Sequence, residues 1–151
     1  MPIASIETPF GRMGVEEQGG AIVAFHWRAE EISPATSLLR EATQQLTAYF
    51  DNKLETFDLP LNPAGSSFEL QVYASMSAIP KGETRSYGDL ARQLDTQPQA
   101  IGQACGSNPI PVIIPCYRVV GRNGLGGFSG DGGVEMKIKL LKHERAYALL
   151  L

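Results

Sequence analysis

Cys116 stands between Pro115 and Tyr117-Arg118, directly after the apolar run Val112-Ile113-Ile114, in a stretch otherwise made of turn residues. A thiolate is a strong nucleophile, and a nearby positive charge such as Arg118, or a helix N-terminus, would lower the thiol pKa and raise the thiolate fraction. A cysteine in this setting also serves as a small buried hydrophobe, and the residues alone leave both readings open. The second thiol, Cys105, lies among small residues on an expected helix and reads as structural. With these 2 cysteines, and only His26 and His143 beside them, there is neither a disulfide scaffold nor a spacing that matches a structural zinc site. A reducing, cytoplasmic setting and no metal are expected. No Gly-x-Ser-x-Gly, phosphate loop, or papain-like or caspase-like signature flanks the thiol, which disfavours ordinary hydrolysis.

Elements must hold this thiol in place. Residues 3–27 alternate short β-prone runs with turns at Thr8-Pro9-Phe10-Gly11 and Gln18-Gly19-Gly20, which predicts a small antiparallel sheet. Leu38, Leu39, Ala42, Leu46, Tyr49 and Phe50 recur at helical spacing and predict a helix over 34–50, capped by Ser33 before Pro34. Pro60, Pro63, Gly65, Ser66 and Ser67 make 58–67 a linker, which divides the chain near residue 64 into domains 1–64 and 65–151. Beyond it, a helix over 68–79 stops at Pro80-Lys81-Gly82, and a second runs from Tyr87 to about Leu94 behind a Ser86 cap. A third begins around Thr96-Gln97-Pro98 and ends at Gly106, so the last two form a helix-turn-helix. Ala100, Gly102 and Ala104 on the third helix permit either close helix packing or close approach to DNA. Residues 108–133 are loop-rich, and a final helix is expected from Val134 to about Leu151, packed on the helix-turn-helix.

Composition bounds the partners. At 151 residues, 43% hydrophobic and 19% charged, the chain can bury a core without staples. A formal charge of −3 and a pI near 5.4 argue against gripping nucleic acid by bulk electrostatics, so any DNA contact must be local. The N-terminus lacks a basic region followed by an apolar one, and no apolar run approaches the roughly 18 residues of a membrane span, so a soluble, unexported chain is expected.

The segment Asn108-Pro109-Ile110-Pro111-Val112-Ile113-Ile114-Pro115-Cys116-Tyr117-Arg118-Val119-Val120-Gly121 resembles the active-site signature of O6-alkylguanine-DNA alkyltransferases, Pro-Cys-His-Arg-Val. The resemblance extends upstream through Phe68-Glu69-Leu70-Gln71-Val72-Tyr73 and the run from Ile79 to Ala91. Downstream it takes in Gly127-Phe128-Ser129-Gly130 and Lys139-Leu140-Leu141-Lys142-His143-Glu144, so that it covers residues 68–144. It implies an α+β protein, with a small ribonuclease-H-like α/β domain in front of a mainly helical winged-helix, helix-turn-helix domain. It further implies a monomer that meets double-stranded DNA containing O6-alkylguanine in the minor groove, with no cofactor and no membrane. The damaged nucleotide is flipped out beside the thiol, because the alkyl carbon inside a duplex is out of reach.

Carried over by position, the resemblance makes Cys116 the alkyl acceptor, Tyr87 a hydrogen-bond donor to the base, and Glu144 the distal carboxylate of a proton relay through Tyr117. Asn108 organises the turn before the thiol. Ser129 faces the guanine O6, and Val119 and Val120 offer carbonyls to the exocyclic amine. Gln99, Ala100 and Gly102 lie toward DNA, and Arg118, among the substrate-side residues, supports the loop. Two positions depart from the family pattern. Tyr117 stands where the family usually has histidine, and with an unperturbed pKa of about 10 it is a poorer base. Gln99 stands where the family usually has an arginine that fills the gap left by the flipped base, which loses charge and stacking. Weaker DNA binding and slower transfer are expected. The alternatives are a non-catalytic, alkyltransferase-like protein that recognises O6-alkylguanine, a purely regulatory helix-turn-helix domain, and a thiol serving another alkyl donor or a redox partner.

Overall fold

A computed structural model describes residues 2–121, 124 and 133–146. The chain divides into two compact units, Met1–Ala64 and Gly65–Leu151.

In the first unit, β1 (Ile3–Thr8), β2 (Gly11–Gln18) and β3 (Ala21–His26) form an antiparallel sheet in the order β1-β2-β3. The β2–β3 hairpin closes on the pair Gln18 and Ala21 around Gly19 (φ 62°) and Gly20 (φ 80°). Two positive φ angles in a two-residue loop match the right-handed twist of the strands, which is why glycine occupies both. Ala4, Met13, Val15, Ile22 and Phe25 form the buried face. Against the sheet lies α1 (Ser37–Phe50), which buries Leu39, Ala42, Leu46, Tyr49 and Phe50.

The cap of α1 is Thr36, not Ser33. Its hydroxyl oxygen accepts from the Leu39 N–H at 3.1 Å and donates to Glu17 of β2 at 2.5 Å. The helix therefore starts later than the expected Pro34, at a cap that is itself tied to β2. The stretch expected to be a free linker is also partly paired. Ile22 N–H donates to Pro60 O (2.8 Å) and Asn62 N–H donates to Ile22 O (2.9 Å), while Gln45 clamps both backbone groups of Asp58. Pro60 supplies only a carbonyl to this edge, so its missing N–H costs nothing there.

The second unit opens with α2 (Ser67–Ser77), whose capping box joins Ser66 and Glu69. A two-residue strand, β4 (Arg85–Ser86), leads into α3 (Tyr87–Gln93), capped by Ser86 with Asp89 in a second box. After a turn through Asp95 (φ 53°), α4 (Pro98–Gly106) begins with proline in its first turn, and α3 and α4 pack together as the helix-turn-helix. A 3-10 turn (Cys116–Arg118) then enters β5 (Val119–Val120), which pairs in parallel with β4.

The last described helix, α5 (Gly133–His143), ends well before Leu151. Arg145 adopts φ 59°, Arg145 N–H donates to Lys142 O at 3.0 Å, and Ala146 N–H donates to Leu141 O at 2.9 Å. These are the paired bonds of a Schellman closure, here with arginine in the left-handed position that glycine usually takes. Residue 144 is thereby the C-cap, and its side chain turns inward. Among the described residues no helix is long and apolar enough to cross a membrane.

Candidate active site

Asn108 follows α4 and fixes the turn that carries the thiol. Its Oδ1 accepts from Ile110 N–H (3.0 Å), and its Nδ2 donates to Ile114 O (2.9 Å). Ile114 N–H closes back on Ile110 O at 2.8 Å. Within this loop Val112 is held at φ 74°, a conformation that a β-branched residue avoids at a cost of about 1–3 kcal/mol. Cys116 N–H then donates to Ile114 O (2.8 Å) and Arg118 N–H to Pro115 O (3.0 Å), which winds the thiol into the 3-10 turn.

Cys116 is 6% exposed. Burial pushes it up to about 11, opposed by the Asn108 amide, the charge of Lys137, and the backbone N–H groups of Cys116 and Tyr117. The positive charge that lowers the thiol is that of Lys137. Arg118 is buried and turned to Glu144 in a two-point pair, with Nε to Oε1 and Nη2 to Oε2 both 2.9 Å, and Nη1 donates to Ile79 O at 2.7 Å. The guanidinium is therefore spent inside the fold. The Tyr117 hydroxyl also donates to Glu144, and Gly82 N–H approaches Oε1 at 3.5 Å. The 3-10 turn, the segment after α2 and the cap of α5 are thus tied through one carboxylate.

Tyr87 opens α3, and its phenol is pushed up to about 12, chiefly by burial and then by Cys105 and Cys116, so it stays a donor at neutral pH. Lys137 Nζ reaches its hydroxyl at 3.4 Å and donates to Val119 O at 2.7 Å. Val119 and Val120 are buried in the short ladder. Gln99 is exposed on α4, with Ala100 and Gly102 half-buried. A Cβ at Gly102 would meet Tyr87 only at 4.0 Å, an ordinary contact, so packing against Tyr87 does not require glycine there. Ser129 lies outside the described residues. Cys105 is partly buried, with its Sγ 3.5 Å from Met76 Sδ, and burial pushes its thiol to about 12.

Lys137 was not singled out by sequence. It is fully buried, and burial pulls its amine down to about 8, against the upward pull of Cys105 and Cys116. The signal was present: Lys137, Leu140, Leu141 and Glu144 recur at one helical face, so a lysine there must point inward.

The buried Tyr73 hydroxyl of α2 has no hydrogen-bond partner among the described residues. Tyr73→Phe is therefore expected to raise stability by about 1 kcal/mol, seen as a higher midpoint of thermal unfolding. A lower midpoint would mean that the hydroxyl is satisfied in the folded protein.

A buried cysteine on a strained, clamped turn thus stands in the same unit as a helix-turn-helix, an element that commonly carries proteins onto DNA. Residues 67–146 match the 6-O-methylguanine DNA methyltransferase DNA-binding domain, and residues 1–63 match the ribonuclease-like domain of the same proteins. The chain belongs to the 6-O-methylguanine DNA methyltransferase family. It is 37% identical over 155 residues to the methylated-DNA–protein-cysteine methyltransferase of Methanosarcina acetivorans, covering 95% of this chain and 98% of that one. It is 34% identical to the Mycobacterium tuberculosis protein of the same name, over 95% and 92% of the two chains. Among solved structures, Mycobacterium tuberculosis OGT in complex with DNA superimposes with a TM-score of 0.81 at 32% identity, covering 98% and 97% of the two chains. The crystal structure of Mycobacterium tuberculosis O6-methylguanine methyltransferase gives a TM-score of 0.82 at 33% identity, over 95% and 93% of the two chains.

Proposed function

We propose that this protein repairs double-stranded DNA by moving an alkyl group from the O6 of guanine to Cys116, once and irreversibly. The observation that carries this reading is the burial of Cys116 at 6% exposure on a turn clamped by Asn108. A thiol inside the fold meets a guanine O6 substituent only when the base leaves the stack, so transfer requires base flipping. The thiolate attacks the alkyl carbon, an S–C bond forms, the C–O6 bond breaks, and its electron pair stays with the guanine. The thioether is inert, which makes the protein a single-turnover reagent that needs no cofactor.

In this reading α4 approaches the minor groove, where small residues at 100 and 102 let the backbone come close. Gln99 fills the vacated stack position without charge, and Tyr87 donates to the flipped base. Val119, Val120 and Ser129 line the base site, and Asn108 holds the turn. The net charge of −3 fits contact that is local rather than spread along the backbone. The protein acts as a monomer in the cytoplasm.

The test is the intact mass of the protein after incubation with a duplex bearing one O6-methylguanine, with Cys116→Ala as control. Stoichiometric gain of one methyl on the parent chain alone is expected. Unmodified protein that binds the lesion selectively would overturn the reading in favour of a non-catalytic lesion reader.

A further inference from the structure

Tyrosine at 117 leaves open how the thiol loses its proton. The Tyr117 hydroxyl is committed as a donor to Glu144, and both oxygens of that carboxylate also hold the Arg118 guanidinium. One carboxylate and one guanidinium compensate each other, and a protonated phenol is a far weaker base than imidazole. That network anchors the turn but offers no ready site for another proton.

Lys137 lies in a different arrangement. Its amine is fully buried, donates to the backbone oxygen of Val119 at 2.7 Å and to the Tyr87 hydroxyl at 3.4 Å, and sits 5.6 Å from the Tyr87 ring centroid. Both of these acceptors are neutral, and α5 packs its Lys137 face against the 3-10 turn that carries Cys116, with Val119 directly after that turn. We propose that Lys137 accepts the proton of Cys116, and that the resulting thiolate–ammonium pair, in place of a Tyr117–Glu144 relay, is the reactive state of the site.

This proposal rests on the alkyl-transfer reading above. The S–H bond breaks and an N–H bond forms on Lys137. The thiolate takes the alkyl group, and the guanine keeps the electron pair of the broken C–O6 bond. The ammonium then returns its proton to the guanine through the Tyr87 hydroxyl that Lys137 touches. Amine, thioether and guanine all end neutral.

Burial disfavours the ammonium and the thiolate separately, while each favours the other, so the two titrate as a pair. The other groups facing them are Cys105 on α4, Tyr87 on α3 and Tyr73 on α2, all pushed up to about 12 by burial, so none competes for the proton near neutrality. The Arg118–Glu144 pair compensates itself.

The test follows alkylation of Cys116 by iodoacetamide from neutral to strongly alkaline pH, in a Cys105→Ala background that leaves one thiol. The parent rate rises through an inflection that Cys116 shares with Lys137, below that of an equally buried thiol without the amine. Lys137→Met, or Lys137→Gln, moves that inflection upward by a unit or more, so that alkylation near neutrality slows by about tenfold or more. Tyr117→Phe leaves the inflection where it is. An unmoved inflection in a folded Lys137 variant, or an upward move in Tyr117→Phe, overturns the proposal.

A second measurement needs no change at 137. With isotope-labelled lysine, the Lys137 signal titrates together with Cys116, and its inflection shifts downward in Cys116→Ala; indifference to that substitution overturns the pair. Iodoacetamide requires no DNA, so a protein that shows the paired titration but takes no methyl from the lesion would fail the functional reading alone.

Discussion

Glu144→Ala is expected to cost about 3–5 kcal/mol of folding stability, read as a lower urea midpoint at unchanged slope. The side chains of Arg118 and Glu144 are 8% and 0% exposed, so removal of the carboxylate strands a guanidinium where water does not compensate it. Three groups lose their acceptor together: Arg118 Nε, Arg118 Nη2 and the Tyr117 hydroxyl. The exposed pairs Arg12–Glu7 and Arg92–Asp89 have comparable N···O distances, yet breaking either is expected to cost no more than about 1 kcal/mol. Geometry is similar; desolvation decides.

The same physics predicts that Arg118→Met combined with Glu144→Leu loses much less than Glu144→Ala alone, because no charge is then left buried. Equal losses in the single and double variants would show that the network contributes packing only. Since Tyr117 and Arg118 belong to the turn that carries Cys116, the single variant also loosens the thiol's support.

Local signals in the sequence sufficed for much of the frame. Gly19-Gly20 marks a hairpin, Ser86 caps the helix that follows it, and Pro98 opens a helix, each through backbone chemistry confined to a few residues. What escaped depends on partners distant in sequence. The cap of α1 falls at Thr36, which is tied to Glu17 of β2, and residues 60–62 join β3 because Ile22 has free backbone groups at the sheet edge. The end of α5 was hidden for a different reason: arginine rather than glycine takes the left-handed position at 145, so no breaker appears in the sequence. In the candidate site the motif from Asn108 to Gly121 places the thiol, but spacing cannot say that Arg118 is spent on Glu144. Nor does a motif centred on cysteine draw attention to a lysine on another helix, although the apolar face of α5 contains one.

Asn108→Ala is expected to slow alkylation of Cys116 near neutral pH by about tenfold or more, since a hydrogen bond to the thiolate form is worth roughly 1.5–3 kcal/mol. The residue acts twice. Its amide lowers the thiol against the pull of burial, and its two bonds, to Ile110 N–H and Ile114 O, hold the loop in which Val112 is kept at φ 74°. Without them the strain at Val112 has a way to relax, and relaxation carries Ile114 and the Cys116 N–H bonded to it out of register. Asn108→Asp separates the two contributions. It keeps an acceptor for Ile110 but replaces the donor with negative charge, so the turn is partly retained while the thiolate is disfavoured further. Rates of iodoacetamide alkylation and of methyl transfer, measured beside thermal unfolding, give the ordering: the alanine variant loses more stability, and the aspartate variant loses at least as much reactivity. If both variants react at the parent rate, Asn108 neither tunes nor positions the thiol, and burial alone sets its reactivity.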